Sequence, residues 1–172
     1  MENKIKPTAF LLVNTNLDAC KVKGSIKKID AIKWIANVFG PYQLVAYLVT
    51  ETRKELIETI EDIRSRRYIK NLDARMVKTI PKDEELKEFT VIKSEVACLL
   101  INVDYTQEKE RNVTYNLRRL KGVVFARAMW GPADIIAIVE AKDHETMRNL
   151  ICDDIKMMKG VKTNTTLYGY KN

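Results

Sequence analysis

Two blocks of this sequence occur twice in the same order. Residues 9–14, AFLLVN, match residues 97–102, ACLLIN, at an offset of 88 positions. Further along, residues 39–46, FGPYQLVA, match residues 130–137, WGPADIIA, at an offset of 91 positions. Because both matches keep the same order, we interpret them as an internal duplication, with a small insertion in the second copy.

The matches predict two copies of one small unit, over residues 8–80 and 94–170. The chain has 172 residues, so each copy is near the size at which a lone hydrophobic core becomes marginal. We therefore expect the two copies to pack as an intrachain pseudo-dimer. Residues 81–93 begin with the charged run PKDEELKE and are predicted to form a surface linker.

The hydrophobic pattern predicts the same order of elements in each copy: strand, helix, strand, strand, helix, strand. In the first copy, Ala19, Val22 and Ile26 recur at helical spacing after Asp18, a candidate N-cap. A Gly-Pro pair marks the turn before each third strand. This order is that of the ferredoxin-like βαββαβ unit, an α+β fold. The predicted strands are 8–15, 33–39, 43–50, 72–79, 95–103, 123–130, 133–141 and 161–169, and the predicted helices are 18–29, 52–65, 107–120 and 143–157.

Each copy resembles the effector-binding and dimerisation domain of the leucine-responsive (Lrp/AsnC) regulators. Besides the element order, the resemblance rests on the turn before the third strand, where that family often has G-x-Y-D. Here the turn reads GPYQ at residues 40–43 and GPAD at residues 131–134. The first copy keeps the aromatic residue and the second keeps the acid. Members of the family also carry an N-terminal helix-turn-helix domain, which we expect this chain to lack.

The resemblance implies a small-molecule site, often for an amino acid, near this turn. A glycine turn exposes backbone N–H groups that suit a carboxylate, and an aspartate accepts hydrogen bonds from an ammonium group. The alternative is structural, since Asp and Gly also stabilise turns, and the glutamine of the first copy weakens the case there. The predicted ligand-binding residues are Gly131, Pro132, Asp134, Thr163, Thr165, Gly40, Tyr42 and Gln43.

These expectations lead to a small-molecule effector-binding and oligomerisation module without its own DNA-binding domain. We expect homo-oligomers and a protein partner, such as a regulator that carries the missing domain, and we expect no cofactor. No apolar run approaches the roughly 20 residues that cross a bilayer, and the N-terminus has no apolar signal core. We therefore expect a cytoplasmic protein with no membrane contact.

Candidate catalytic or metal-binding groups are few, so we predict a non-enzymatic protein. The sequence has one histidine, His144, which falls in the first turn of a predicted helix, and no residue pair forms a recognisable nucleophile and base. Cys20, Cys98 and Cys152 are too scattered for a zinc site or a disulfide framework, and Cys98 suits a core position. An enzyme of this fold would need a buried polar cavity near His144 or a cysteine.

A formal charge of +7 favours acidic partners only weakly, so a nucleic-acid-associated protein is the alternative function and direct nucleic-acid binding is not our main expectation. The densest basic cluster is Arg64, Arg66, Arg67 and Lys70. Its structural interpretation is a solvated helix end, because cationic side chains are favourable at a helix C-terminus. Strongly salt-dependent binding would favour the nucleic-acid interpretation.

Overall fold

The computed structural model describes residues 6–78 and 89–170. The chain divides into two compact units: within the described residues, unit 1 comprises 6–78 with Tyr170, and unit 2 comprises 89–169. No helix in these ranges is long and apolar enough to cross a bilayer.

Unit 1 has four antiparallel strands in the order β4-β1-β3-β2. Its elements are β1 (Thr8–Thr15), α1 (Ala19–Ile26), β2 (Ile32–Phe39), β3 (Leu44–Val49), α2 (Arg53–Ser65) and β4 (Ile69–Met76). The predicted cap of α1 is confirmed, because the Asp18 carboxylate accepts a hydrogen bond from the N–H of Cys20 at 3.0 Å. Strand β4 begins three residues earlier than predicted, immediately after the turn that follows α2.

Unit 2 repeats this element order, with its strands in the antiparallel order β8-β5-β7-β6. Its elements are β5 (Glu95–Val103), α3 (Glu110–Arg119), β6 (Val123–Ala128), β7 (Ile135–Ala141), α4 (His144–Asn149), a π-helical segment (Leu150–Ile155) and β8 (Val161–Tyr170). The predicted α+β class with antiparallel sheets is therefore confirmed. An origin by duplication remains a prediction.

In each unit, one face of the sheet packs against the two helices. Leu11 of β1 and Leu99 of β5 lie at equivalent positions on that face, and both are fully buried. Successive side chains of a strand point to opposite faces, so Phe10 and Cys98 lie on the other face. They are buried as well, and Cys98 is only 1% exposed, which confirms it as a core residue.

The helix predicted over residues 143–157 is α-helical only in its first half. From Leu150 to Ile155 the backbone follows a π-helix, and the N–H of Lys156 donates to the carbonyl of Ile151 at 2.9 Å. A π-turn widens a helix by one residue.

The position of this π-turn coincides with a one-residue insertion relative to unit 1. Buried Ile60 of α2 corresponds to Ile151 at an offset of 91 positions, whereas buried Ile63 corresponds to Ile155 at an offset of 92. The wider turn accommodates the extra residue on the exposed side and keeps Ile155 in the core.

The last part of the predicted linker packs on unit 2. The ring of Phe89 lies 5.1 Å from that of Phe125, and the buried carboxylate of Glu140 accepts a hydrogen bond from the N–H of Ile92 at 2.8 Å. The rest of that linker, residues 81–88, lies outside the described residues.

Candidate functional site

Both units have the same hydrogen bond at the end of their first strand, where the pairing register shifts. In unit 2, the N–H of Val103 donates to Oδ2 of Asp134 at 2.8 Å. In unit 1, the N–H of Thr15 donates to Oε1 of Gln43 at 2.7 Å. The acid and the amide that distinguish the two turns therefore have the same structural role, because each supplies an oxygen acceptor for a strand-end N–H.

The second carboxylate oxygen of Asp134 accepts a hydrogen bond from a residue that the sequence did not indicate. The hydroxyl of Tyr105 lies 2.9 Å from Oδ1 of Asp134 and 3.3 Å from Oε2 of Glu110. This hydroxyl therefore lies between two carboxylates, and its single O–H can donate fully to only one of them at a time. The turn of unit 2 is thus an acidic site with an aromatic residue beside it, and Tyr105 is 60% exposed.

The glycines of the two turns have a conformation that favours glycine. The φ angle is 139° at Gly40 and 141° at Gly131, outside the regions open to most L-residues. Gly131 and Pro132 are exposed. Their turn is therefore accessible beside Asp134, and its backbone conformation favours glycine, so ligand binding at this turn remains a prediction.

The predicted threonines do not contact Asp134. Thr163 and Thr165 are exposed on β8, and the amide of Asn102 donates to Oγ1 of Thr163 at 3.0 Å. Strand β8 pairs with one side of β5, and β7 pairs with the other. Two strand spacings, about 10 Å, therefore separate the threonines from the Asp134 turn.

In unit 1, the side chains of the Gly-Pro turn form hydrogen bonds with other residues of the same unit. The hydroxyl of Tyr42 donates to Oδ2 of Asp73 at 3.1 Å, and Asp73 is also paired with Arg75. Burial and the neighbouring Asp73 raise the pKa of Tyr42 above its ordinary value. Together with the Gln43 hydrogen bond, these contacts give the unit 1 turn a structural role and leave unit 2 as the better candidate site.

The comparison with protein families matches the second half of the chain. Residues 96–171 fit the model of the Lrp/AsnC ligand binding domain. Unit 2 thus has the sequence pattern of an Lrp/AsnC ligand binding domain. The resemblance predicted for the second copy is therefore confirmed, and for the first copy it remains a prediction. No curated protein matches the sequence.

Solved structures resemble the chain over nearly its whole length. The siroheme decarboxylase NirDL is 12% identical, with a TM-score of 0.63, and the match covers 96% of this chain and 72% of that one. The putative chlorite dismutase TA0507 is 8% identical, with a TM-score of 0.61 and coverages of 96% and 94%. A heme-binding protein from Thermus thermophilus is 12% identical, with a TM-score of 0.53 and coverages of 98% and 92%.

These neighbours contradict our prediction of a non-enzymatic protein. A siroheme decarboxylase and a putative chlorite dismutase share this fold. The prediction was wrong because it relied on the scarcity of nucleophile and metal-ligand patterns, whereas the same fold also accommodates enzymes and so does not by itself decide for or against an activity. At 8 to 12% identity the likeness shows the fold, not the reaction.

Replacing Asp134 by alanine is expected to destabilise the protein by about 1–3 kcal/mol, because the N–H of Val103 loses its acceptor. Asp134→Asn is the matched control, since its amide oxygen still accepts that hydrogen bond. Urea denaturation of both variants measures the difference. Equal stability of the alanine variant and the wild type would show that the hydrogen bond contributes nothing.

Stability is also expected to fall at alkaline pH because of Tyr105. Desolvation of its hydroxyl, the hydrogen bond to Asp134 and the charge of Glu110 raise its pKa above the ordinary value of 10.0. A group whose pKa is raised by folding stabilises the protein fully below its unfolded pKa, and the contribution is lost as pH rises through the folded value. Unfolding free energies from about pH 8 to about pH 11 should therefore fall more steeply in the wild type than in Tyr105→Phe. Identical profiles would exclude this contribution.

Proposed function

We propose that the protein is a small-molecule-binding module and that its ligand is amino-acid-like and binds at the Gly131–Asp134 turn of unit 2. The observation that carries the proposal is the pair of carboxylates around the Tyr105 hydroxyl, next to an exposed glycine turn, inside a domain that matches a ligand-binding family.

The chemistry of the turn suits an ammonium group. Each oxygen of the Asp134 carboxylate accepts one hydrogen bond from the protein and has a further lone pair available. A ligand ammonium would form a charge-assisted hydrogen bond there, and Glu110 adds negative charge within reach of the same hydroxyl. Pro132 has no N–H, and the N–H of Asp134 donates to the carbonyl of Ile101 at 3.0 Å. The backbone N–H groups of Gly131 and Ala133 are therefore the ones that suit the ligand's carboxylate.

Regulation through assembly is the second part of the proposal. Ligand binding at this turn would alter homo-oligomerisation or contact with a regulator that supplies DNA binding. Support comes from the family match alone, since that family combines ligand binding with oligomerisation.

An iron tetrapyrrole is a second ligand class to consider, because a structure of NirDL with an iron-uroporphyrin III analogue shares this fold at a TM-score of 0.61. Such a group needs an axial ligand within an apolar site. His144, the one histidine of the sequence, is exposed in the first turn of α4, where charged Asp143 and Glu145 flank it. The surroundings of His144 therefore do not fit an axial ligand of such a group.

A thermal-shift screen tests the proposal. At about 100 times its Kd, a ligand stabilises a protein by about 2.7 kcal/mol, which raises the Tm of a chain of this size by roughly 5–10 °C. We expect a standard amino acid to produce such a shift at millimolar concentration. Hemin and iron-uroporphyrin III serve as comparison ligands.

Asp134→Asn separates binding from stability. It keeps the acceptor for Val103 but removes the charge that an ammonium group requires, so we expect at least a tenfold loss of affinity without a loss of fold. Gln43→Glu in unit 1 is the control and should leave the affinity unchanged. Absence of any shift with amino acids, or an affinity that survives in Asp134→Asn, would refute the proposal.

A further inference from the structure

Helix α1 of unit 1 has an unusual charge pattern. Four lysines, Lys21, Lys23, Lys27 and Lys28, occur within or directly after it, and no acidic residue follows its N-cap, Asp18, until Asp30. Lys21, Lys27 and Lys28 are exposed, and Lys23 is half-buried. None of the four forms an ion pair within residues 6–78 and 89–170.

Unlike these lysines, two arginines at the end of helix α2 form ion pairs with acidic residues. Arg64 is paired with Glu61, and Arg66 is paired with Asp62 at 2.7 Å. The cluster that the sequence indicated at the end of α2 is thus partly neutralised. The four lysines in and directly after α1 are a contiguous group of basic residues without such partners, and exposed Arg67 and Lys70 after α2 also form no ion pair within the described residues.

The hydroxyl of Tyr68 forms hydrogen bonds with α1 and with the residue that follows α2. The hydroxyl oxygen lies 2.9 Å from Oγ of Ser25 on α1 and 2.9 Å from Nη1 of Arg66. The amide of Asn16, two residues before the N-cap of α1, donates to the carbonyl of Arg67 at 3.4 Å. The backbone of exposed Arg67 therefore lies beside the residues that lead into α1, and we call Lys21, Lys23, Lys27, Lys28 and Arg67 the cationic surface.

Gly24 lies at the centre of this surface. It is exposed, and a Cβ placed on it would have no atom within 4 Å, so no contact inside the protein requires glycine there. Glycine is also a poor helix former. Its neighbours on the helix surface are Lys21, Lys27 and Lys28, three or four residues away. The absent side chain lets an extended anionic backbone approach between the lysines.

We propose that the cationic surface binds the phosphodiester backbone of nucleic acid without reading its sequence. Charge complementarity supports this occupant, because phosphates are bound mainly by lysine and arginine. A bilayer would favour large apolar residues on the exposed face of a surface helix. The exposed positions from Lys21 to Lys28, in and directly after α1, carry lysine and glycine instead. This function lies in unit 1 and is independent of the ligand site proposed for unit 2.

Fluorescence anisotropy with a fluorescein-labelled DNA duplex of about 20 base pairs tests the proposal on the full chain. Each neutralised phosphate contributes about −0.9 to the slope of log K against log salt, so three or four contacts predict a slope near −3 between about 50 and 200 mM salt. Lys21→Gln with Lys28→Gln should reduce that slope by about 2. Lys54→Gln, which removes a lysine paired with Glu58 on α2, is the matched control and should leave the slope unchanged.

Gly24→Glu separates binding from folding. Glutamate is a better helix former than glycine and has open space at this position, so the Tm should not fall. Its charge among the lysines should weaken duplex binding at least tenfold. No duplex binding at about 50 mM salt, a slope that the double variant leaves unchanged, or tighter binding to phosphatidylserine vesicles than to the duplex would overturn the proposal.

Discussion

Gly160→Ala is expected to destabilise the protein by about 3 kcal/mol or more. Gly160 precedes β8 with a φ angle of 88°, in the left-handed region that disfavours residues with a Cβ. A Cβ there would lie 2.5 Å from Cβ of Glu108 and 2.8 Å from Cγ2 of buried Val113. The free-energy costs of backbone strain and of overpacking therefore add, and urea denaturation measures their sum as a loss of unfolding free energy.

Gly24→Ala is the matched control for this substitution. Gly24 lies in the interior of α1 without a positive φ angle, and its missing Cβ would contact nothing within 4 Å. Alanine should therefore stabilise the protein by about 0.5–1 kcal/mol. A Gly160→Ala variant that is no less stable than the wild type would contradict the effect expected from the close approach.

Leu11→Ala and Leu99→Ala are each expected to cost about 2–5 kcal/mol. Both leucines are fully buried between a sheet and its helices at equivalent positions of the two units. Truncation removes apolar contacts and leaves a cavity that the surrounding core fills only in part. Ile57→Ala on α2, where the side chain is 50% exposed, should change stability far less.

The same pair of variants tests the predicted pseudo-dimer. If the two units unfold as one cooperative system, either variant should displace a single transition by a similar amount. Two transitions, of which each variant moves only one, would show that the units unfold independently and would contradict that prediction. Scanning calorimetry of the wild type and both variants distinguishes these outcomes.

Short-range patterns predicted most of the secondary structure. The cap of α1, the apolar spacing of α1 and α2 and the apolar runs of β1 and β5 depend on neighbours in the chain, so they are visible in the sequence. The sequence did not predict the π-turn at Leu150–Ile155, because a helix with one inserted residue has the same local composition as an ordinary α-helix. The insertion becomes evident only in the structure, where Ile155 is still buried in the core.

The candidate site was predicted only in part. Asp134 and its glycine turn stand out because they are contiguous and repeat a motif of unit 1. Tyr105 and Glu110 belong to the segment after β5, about 25 to 30 positions away, and no spacing rule connects them to that turn. Thr163 and Thr165 were placed at the site by resemblance, whereas strand β5 separates them from Asp134.

The repeated blocks, the alternation of apolar residues and the Gly-Pro turns were enough to establish an α+β chain with two βαββαβ segments, because those features are local and recur along the chain. The tertiary structure alone decided which hydrogen-bond acceptor lies beside which donor. Asp134 reaches the N–H of Val103 and the hydroxyl of Tyr105 because antiparallel pairing brings the start of β7 beside the end of β5. That proximity is a property of the sheet and its register, which depend on contacts between residues far apart in sequence.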